Sequence, residues 1–155
     1  MDLVQTIILL VSAIAAAIAV YEHRMLTKKT ATLQVILSDT SDPRIVEASS
    51  RVYKMIQTNK NFYEVLIQQN SAIEDVEALK IILNRYEFYA TGINKGILDD
   101  DLLKTLYFSN FITFWKHAKS GIMDLRLKNQ RETLFQEFEK VMKKWEKHPL
   151  RKNNV

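Results

Sequence analysis

The sequence predicts an all-α protein in which a single N-terminal transmembrane helix is followed by a cytoplasmic helical bundle. Residues 3–20 contain no charged side chain, whereas all 22 Lys and Arg residues follow them. Only 3 Gly and 2 Pro interrupt the chain of 155 residues. The later apolar residues recur at helical spacing, without the alternation that is typical of strands. The chain after the apolar segment is long enough to enclose one hydrophobic core.

The first element is the apolar segment, predicted as a transmembrane helix over residues 1–21. About 18 residues extend roughly 27 Å as a helix, close to the thickness of the hydrocarbon core of a bilayer. A cleaved signal peptide is the alternative, because residues 17–19 (AIA) resemble a small-x-small cleavage site. The positive start typical of a signal peptide is not found, since the only early charge is that of Asp2.

The basic residues predict the orientation of this helix. Arg24, Lys28 and Lys29 follow the apolar segment closely. The positive-inside rule therefore places the body in the cytoplasm and the N-terminus outside, as a single-pass protein of the inner (cytoplasmic) membrane. The sequence contains no Cys, which suits a reducing compartment, although a periplasmic domain without disulfides is also compatible with it.

One face of the apolar segment carries small residues. Ser12 and Ala16, and likewise Ala13 and Ala17, are four residues apart, so they lie in adjacent rows where two helices can approach closely. The same segment contains the polar side chains of Gln5, Thr6 and Ser12. In a membrane these would form hydrogen bonds between helices or line a water-filled lumen more readily than face lipid. The alternative is that alanine is simply a common helix former. The predicted oligomerisation or pore residues are Gln5, Thr6, Ser12, Ala13, Ala16 and Ala17.

Residues 22–42 are predicted as a juxtamembrane helix and linker. An apolar stripe continues to about Leu37, and residues 38–43 (SDTSDP) then indicate a break. Asp42 is a suitable N-cap for a new helix, and Pro43 fits its first turn. A helical bundle is expected over 43–148, followed by a polar tail over 149–155.

The bundle is predicted to begin with a helix over 43–58, a turn at 59–61 and a short helix over 62–69. Ser71 and Glu74 have the spacing of a capping box, and their helix is expected to end near Gly92 or Gly96. The residues expected to be buried are Ile45, Val46, Val52, Tyr53, Ile56, Phe62, Val65, Leu66, Ile73, Val76, Leu79, Ile82, Leu83 and Tyr86.

Two further helices complete the predicted bundle. Asp99 can cap the first of them, residues 100–101 complement its dipole, and Gly121 is expected to end it. The last helix is expected to begin at Asn129 and to end near Lys147. The residues of these two helices that are expected to be buried are Leu102, Leu103, Leu106, Phe108, Phe111, Ile112, Phe114, Trp115, Leu134, Phe135, Phe138, Val141, Met142 and Trp145.

The charge of the chain indicates which partners to expect. The formal net charge is +4, with an excess of basic residues in 121–155. A basic surface suits anionic lipid headgroups or nucleic acid, but an ordinary solvated helix face has the same composition. No nucleic-acid-binding motif accompanies it, so nucleic acid is not expected. The expected partners are the lipid bilayer, further copies of the chain and a protein.

No sequence pattern of catalysis or metal binding is found. His23, His117 and His148 are widely separated, and none has a second His one turn away, so no metal site is predicted. There is no phosphate-binding glycine loop, no Ser-His-Asp pattern and no Arg followed four to six residues later by His. We therefore expect no cofactor and no enzymatic activity.

Several polar residues lie among predicted core positions, namely Asn84, Glu87, Arg126 and Glu139. In a helical bundle, a carboxylate and a guanidinium drawn together neutralise and hydrogen-bond each other. We expect Glu87 or Glu139 to pair with Arg126 as a structural polar core. The alternative is that all four side chains are exposed.

The segment 83–99 begins with LNRYE and continues through Ala90, Gly92, Gly96 and Asp99. With the later Phe114-Trp115, Arg126 and Trp145 and the apolar anchor, it resembles a family of small bacterial and phage membrane proteins, domain of unknown function 4760. The resemblance implies no known reaction. In architecture the chain is also similar to the membrane accessory proteins of type VI-B CRISPR systems. That similarity implies a degenerate RNA-cleavage motif, and this sequence does not contain one.

Two functions are compatible with these features. The first is a homo-oligomeric inner-membrane protein that acts as a pore or membrane-perturbing effector, with antiviral defence as its expected setting. The second is a membrane-anchored helical scaffold that binds a cytoplasmic protein partner. The particle size in detergent distinguishes the two.

Overall fold

A computed structural model describes residues 2–68 and 71–150 of the chain. Within these residues it contains helices and no strand, which confirms the all-α prediction. Gln69 of the predicted short helix and residues 151–155 of the predicted tail lie outside the described residues. The helices are α1 (Leu3–Ser41), α2 (Pro43–Gln57), a π-helical segment (Glu64–Gln68), α3 (Ile73–Asn94), α4 (Asp100–Asn129) and α5 (Gln136–Lys147).

Helix α1 is a single helix of 39 residues. Its first part, Leu3 to Arg24, is exposed throughout, and its first fully buried residue is Thr32. Among the described helices, only α1 is long and apolar enough to cross a membrane, a condition that a signal sequence also meets. The apolar segment and the start of the body therefore belong to one continuous helix.

The break after α1 is narrower than the predicted break over 38–43. Helix α1 continues to Ser41, and the hydroxyls of Thr40 and Ser41 both donate to the Leu37 carbonyl at 2.9 Å. Asp42 then caps α2, as predicted, by accepting a hydrogen bond of 2.9 Å from the Arg44 backbone N–H. Pro43 occupies the first turn of α2.

Helix α2 buries only part of the predicted face: Val52 is buried and Ile56 packs against the core, as predicted. Its buried residues are Ala48, Val52 and Met55, whereas Val46 is 50% and Tyr53 62% exposed. Helix α2 packs mainly on α3 and also contacts α1, and Val46 and Tyr53 are left uncovered.

The predicted capping box of α3 is wrong. The helix begins at Ile73, with Ala72 at the N-cap and no capping side chain in the described part of the chain. Ile73 is exposed instead of buried. The predicted end is confirmed, because α3 stops at Asn94 and Gly96 takes a φ of 68°. Such a left-handed residue terminates a helix at low cost when it is glycine.

Gly121 does not end α4, which continues to Asn129. A Cβ at Gly121 would lie 2.9 Å from Cδ1 of Leu66, so glycine here allows the segment before α3 to pack closely. The last helix consequently does not begin at Asn129. Gln130 and Phe135, both with positive φ, bound the loop between α4 and α5.

The core is dominated by aromatic rings from α3, α4 and α5. Phe111 lies 4.1 Å from Tyr86 and 5.3 Å from Trp145 between ring centroids, and Trp115 lies 5.4 Å from Phe138. Phe138, Val141, Met142 and Trp145 of α5 are fully buried. Leu106 is half exposed, in contrast to the prediction.

Candidate functional site

The predicted membrane residues all lie on the exposed part of α1. Gln5, Thr6, Ser12, Ala13, Ala16 and Ala17 are exposed. The hydroxyl of Ser12 donates to the Ile8 carbonyl at 2.8 Å, and that of Thr6 donates to the Asp2 carbonyl at 3.4 Å. Both hydroxyls thus have acceptors within their own helix, which lowers the cost of placing them in lipid.

Helix α1 is attached to the body first at Thr32. The buried Thr32 hydroxyl donates to the Lys28 carbonyl and accepts from the Asp99 backbone N–H, both at 2.8 Å. Asp99 in turn caps α4, as predicted, by accepting from the Leu102 N–H at 2.8 Å. One hydroxyl therefore connects α1 to the start of α4.

A second attachment lies two turns further along α1. The buried carboxylate of Asp39 forms a two-point ion pair with the Arg85 guanidinium of α3 and accepts a hydrogen bond of 2.8 Å from the Tyr89 hydroxyl. The guanidinium carbon of Arg85 lies 4.6 Å from the ring centroid of Phe88 and 5.0 Å from that of Tyr89. Two-point pairing and ring stacking fix the direction of Arg85.

The tyrosines beside this pair stay neutral. Burial raises the pKa of Tyr89, and its hydrogen bond to the Asp39 carboxylate raises this pKa further. Burial and the nearby charge of Asp39 likewise raise the pKa of Tyr107. The site therefore contains two neutral tyrosine hydroxyls beside one ion pair, and the Tyr89 hydroxyl already donates to Asp39.

The Asp39–Arg85 pair forms one wall of a groove between α2 and α4, with α3 as its floor. The groove has a volume of about 550 Å³, within the range of natural ligand sites. Its lining is mostly apolar and aromatic. The residues that give it this character are Val46 and Tyr53 of α2, Tyr86 and Tyr89 of α3, and Tyr107 and Phe114 of α4.

The predicted ion pair between Arg126 and Glu139 is present. Nη1 of Arg126 donates to Oε2 of Glu139 at 2.7 Å, and its Nε donates to the Leu134 carbonyl at 2.8 Å. The pKa of the Glu139 carboxyl is lowered, first by its bond with Lys143 and then by Arg126. Arg126 therefore joins α4 to α5 through Glu139 and to the loop between them through Leu134.

Glu87 has a different role from the predicted pairing with Arg126. Its carboxylate accepts hydrogen bonds from the backbone N–H groups of Glu137 and Phe138, at 3.2 Å and 2.8 Å. It therefore caps the start of α5 from a neighbouring helix. Burial raises its pKa, and the two backbone bonds oppose that shift.

Asn84 is exposed and does not belong to a polar core, which corrects that prediction. The buried polar residues that the prediction missed are Thr32 and Asp39. The sequence prediction includes Asp39 in the break over 38–43, where an acidic side chain is expected to be solvated. A usable signal was the i, i+4 spacing of Arg85 and Tyr89, which puts a donor pair on one face of α3.

No cluster of three or more His, Asp or Glu side chains able to hold a metal ion occurs within residues 2–68 and 71–150.

Residues 6–145 match the family described as a domain of unknown function, DUF4760. The resemblance predicted from segment 83–99 and the anchor is thus confirmed. No curated protein and no solved structure matches the chain. The similarity to the accessory proteins of type VI-B CRISPR systems receives no support from these comparisons.

Proposed function

This chain belongs to the DUF4760 family, and we propose that it is a single-pass inner-membrane protein that holds a partner-binding helical module in the cytoplasm. The observation that carries the proposal is the continuity of α1. The same helix contains the exposed apolar segment Leu3–Val20 and the buried residues Thr32 and Asp39. The body would therefore be held rigidly at the membrane instead of hanging from a flexible linker.

Two attachments support this rigidity. Thr32 bonds to the start of α4, and Asp39 pairs with Arg85 of α3. Since both lie in the last third of α1, a rotation or tilt of the membrane segment would move the body with it. We therefore assign to the protein this mechanical coupling and no catalytic step.

The surface proposed for the partner is the groove between α2 and α4. Val46 and Tyr53 are exposed at its rim although both are large and apolar. Exposed aromatic side chains beside a concave apolar floor are typical of sites that take an apolar segment of a protein. The Asp39–Arg85 pair lines this groove, so a bound segment would touch the attachment of α1.

The second candidate is the homo-oligomeric pore or membrane-perturbing effector of antiviral defence. The small residues of α1 favour it, since Ala13, Ala16 and Ala17 are exposed and can pack against another copy. The hydroxyls of Thr6 and Ser12 favour the scaffold, because they already bond within α1 and need no wet lumen.

The size of the detergent-solubilised particle tests these candidates. The scaffold predicts one 18.1 kDa chain per micelle, and the pore predicts several. For the pore, Ala16→Leu and Ala17→Leu should weaken crosslinked oligomers in membranes. A potential-sensitive dye should then report depolarisation by the full chain and none by a chain lacking residues 1–20.

Site-specific photo-crosslinking tests the groove. A photoreactive residue at position 53 should capture a protein partner in cells, whereas one at Lys80, exposed on α3 outside the groove, should not. Equal capture at both positions would contradict the groove as the binding surface. Full extraction of the chain by alkaline carbonate would contradict the membrane anchor itself.

A further inference from the structure

The turn between α3 and α4 lies beside the part of α1 that leaves the apolar segment. The Lys28 ammonium is 3.6 Å from the position that a Cβ would take at Gly96. Three residues later, the Asp99 backbone N–H bonds to the hydroxyl of Thr32 at 2.8 Å. The turn Lys95–Leu98 is therefore held at a set height along α1, level with residues 28–32.

With the proposed anchor in a bilayer, this height would be close to the bilayer surface. Tyr21 is exposed directly after the apolar segment, where Tyr side chains usually mark the membrane–water interface. Lys28 follows seven residues later, which is about 10 Å along a helix. The headgroup layer of one leaflet is roughly 5–7 Å thick. Lys28 and the turn thus lie within a Debye length of about 8 Å from the headgroup surface.

The charged side chains of α1 and of the turn at this level are mostly basic, with one large apolar side chain among them. Arg24, Lys28, Lys29 and Lys95 are basic, and Glu22 is the only acidic residue of α1 before Asp39. Ile97, next to Gly96, is 61% exposed. At the start of α4, Asp101 is exposed, whereas the Asp100 carboxylate forms an ion pair of 2.8 Å with the Lys144 ammonium.

We propose that the α3–α4 turn, together with Arg24, Lys28 and Lys29, forms a second membrane contact that binds anionic lipid headgroups. Lys95 and Lys28 would meet lipid phosphates, and Ile97 would enter the interface between them. Basic residues at this distance are attracted by anionic leaflets, and the attraction falls off within a Debye length. The inference rests on the proposed membrane anchor, and it assigns to the body a direct role in setting its orientation on the bilayer.

Fluorescence quenching tests this contact on the full chain in vesicles. Because the sequence has no Cys, Ile97→Cys provides a single labelling site at an exposed position. Gln57→Cys, exposed at the far end of α2, is the matched control for the body. Val11→Cys reports on insertion of α1. The vesicles contain phosphatidylcholine alone or mixed with phosphatidylglycerol, with a nitroxide quencher on the lipid headgroup or deep in the acyl chain.

The headgroup quencher should quench the label at position 97, roughly twofold more in anionic vesicles than in phosphatidylcholine alone. The label at position 57 should not be quenched. The combined change Lys28→Gln and Lys95→Gln should remove the extra quenching in anionic vesicles, whereas Lys80→Gln should leave it unchanged.

Two other outcomes overturn the inference and can be told apart. If the label at position 97 is as unquenched as the one at 57, while the deep quencher reaches position 11, the second contact is wrong and the anchor stands. If the deep quencher does not reach position 11, the proposed anchor is wrong and the second contact falls with it.

Discussion

At the scale of single residues, the buried ion pair between Asp39 and Arg85 joins α1 to the helical body. Asp39 is 7% exposed, and its carboxylate accepts bonds from Arg85 and Tyr89. A buried ion pair adds little net stability by itself, but removing one member leaves the other charge without a partner. The pair therefore makes the junction intolerant of single changes at either position.

We expect Asp39→Ala to lower the free energy of unfolding by about 3–5 kcal/mol, because it leaves the Arg85 guanidinium uncompensated. The double change Asp39→Ala with Arg85→Met should cost less than the sum of the two single changes. Denaturant unfolding in detergent, followed by circular dichroism, measures these differences. Arg44→Ala, at an exposed ion pair with Asp42, is the control and should change little. Additive effects of the two core changes would mean that they do not form a coupled pair.

At the scale of elements, α5 shows how polar contacts position a short helix. A helix of 12 residues has little stability alone and depends on its neighbours. Glu87 caps its start, Glu139 pairs with Arg126, and the Trp145 ring N–H donates to Asp100 at 2.9 Å. Each contact joins α5 to α3 or α4. Its position is therefore fixed at its first turn and near its C-terminal end.

The Glu139 pair predicts an acid dependence of stability. Because Lys143 and Arg126 lower the pKa of Glu139 in the folded state, its ionised form favours folding. This stabilisation is complete above about pH 5 and is lost as the pH falls through the folded-state pKa. Glu139→Gln should therefore unfold more easily than the wild type at pH 7, and the gap in unfolding free energy should shrink by pH 3. Glu74→Gln, at an exposed position, serves as the control. A gap that is the same at both pH values would contradict the assignment.

At the scale of the whole molecule, one aromatic core connects α3, α4 and α5. Trp145 and Trp115 are 0% and 2% exposed, and both were predicted as core residues. Because the rings contact one another across three helices, loss of one ring should affect the entire body. The apolar part of α1 stands outside this core, with all residues from Leu3 to Arg24 exposed.

We expect Trp145→Ala and Trp115→Ala each to destabilise the body by about 3–5 kcal/mol, through lost burial and the cavity that remains. Thermal melting followed by circular dichroism should show a lower midpoint or loss of the cooperative transition. Tyr53→Ala, at an exposed aromatic residue, is the matched control and should melt close to the wild type. Unchanged midpoints for both tryptophan variants would place their rings outside the core.

The sequence by itself determined the helical fold, the apolar segment 3–20, the caps at Asp42 and Asp99, the end of α3 and most of the aromatic core. These features depend on periodicity, composition and local hydrogen bonding. Residues that are close together in the sequence determine all three. It also predicted the Arg126–Glu139 pair, since both residues lie among core positions. It did not predict that α4 passes through Gly121, that Glu87 caps α5 or that Asp39 is buried.

Those features were decided by the tertiary structure, because each depends on a partner distant in the chain. Gly121 lies inside α4 at a point where Leu66 packs too closely for a Cβ, and Asp39 is buried where Arg85 and Tyr89 reach it across 46 and 50 positions. The groove likewise depends on tertiary packing, because it forms where α2 and α4 lie apart and leave Tyr53 exposed. Local sequence indicates at most which side chains could take part in such contacts, as the spacing of Arg85 and Tyr89 does, because the energy of the contacts arises only when the helices meet.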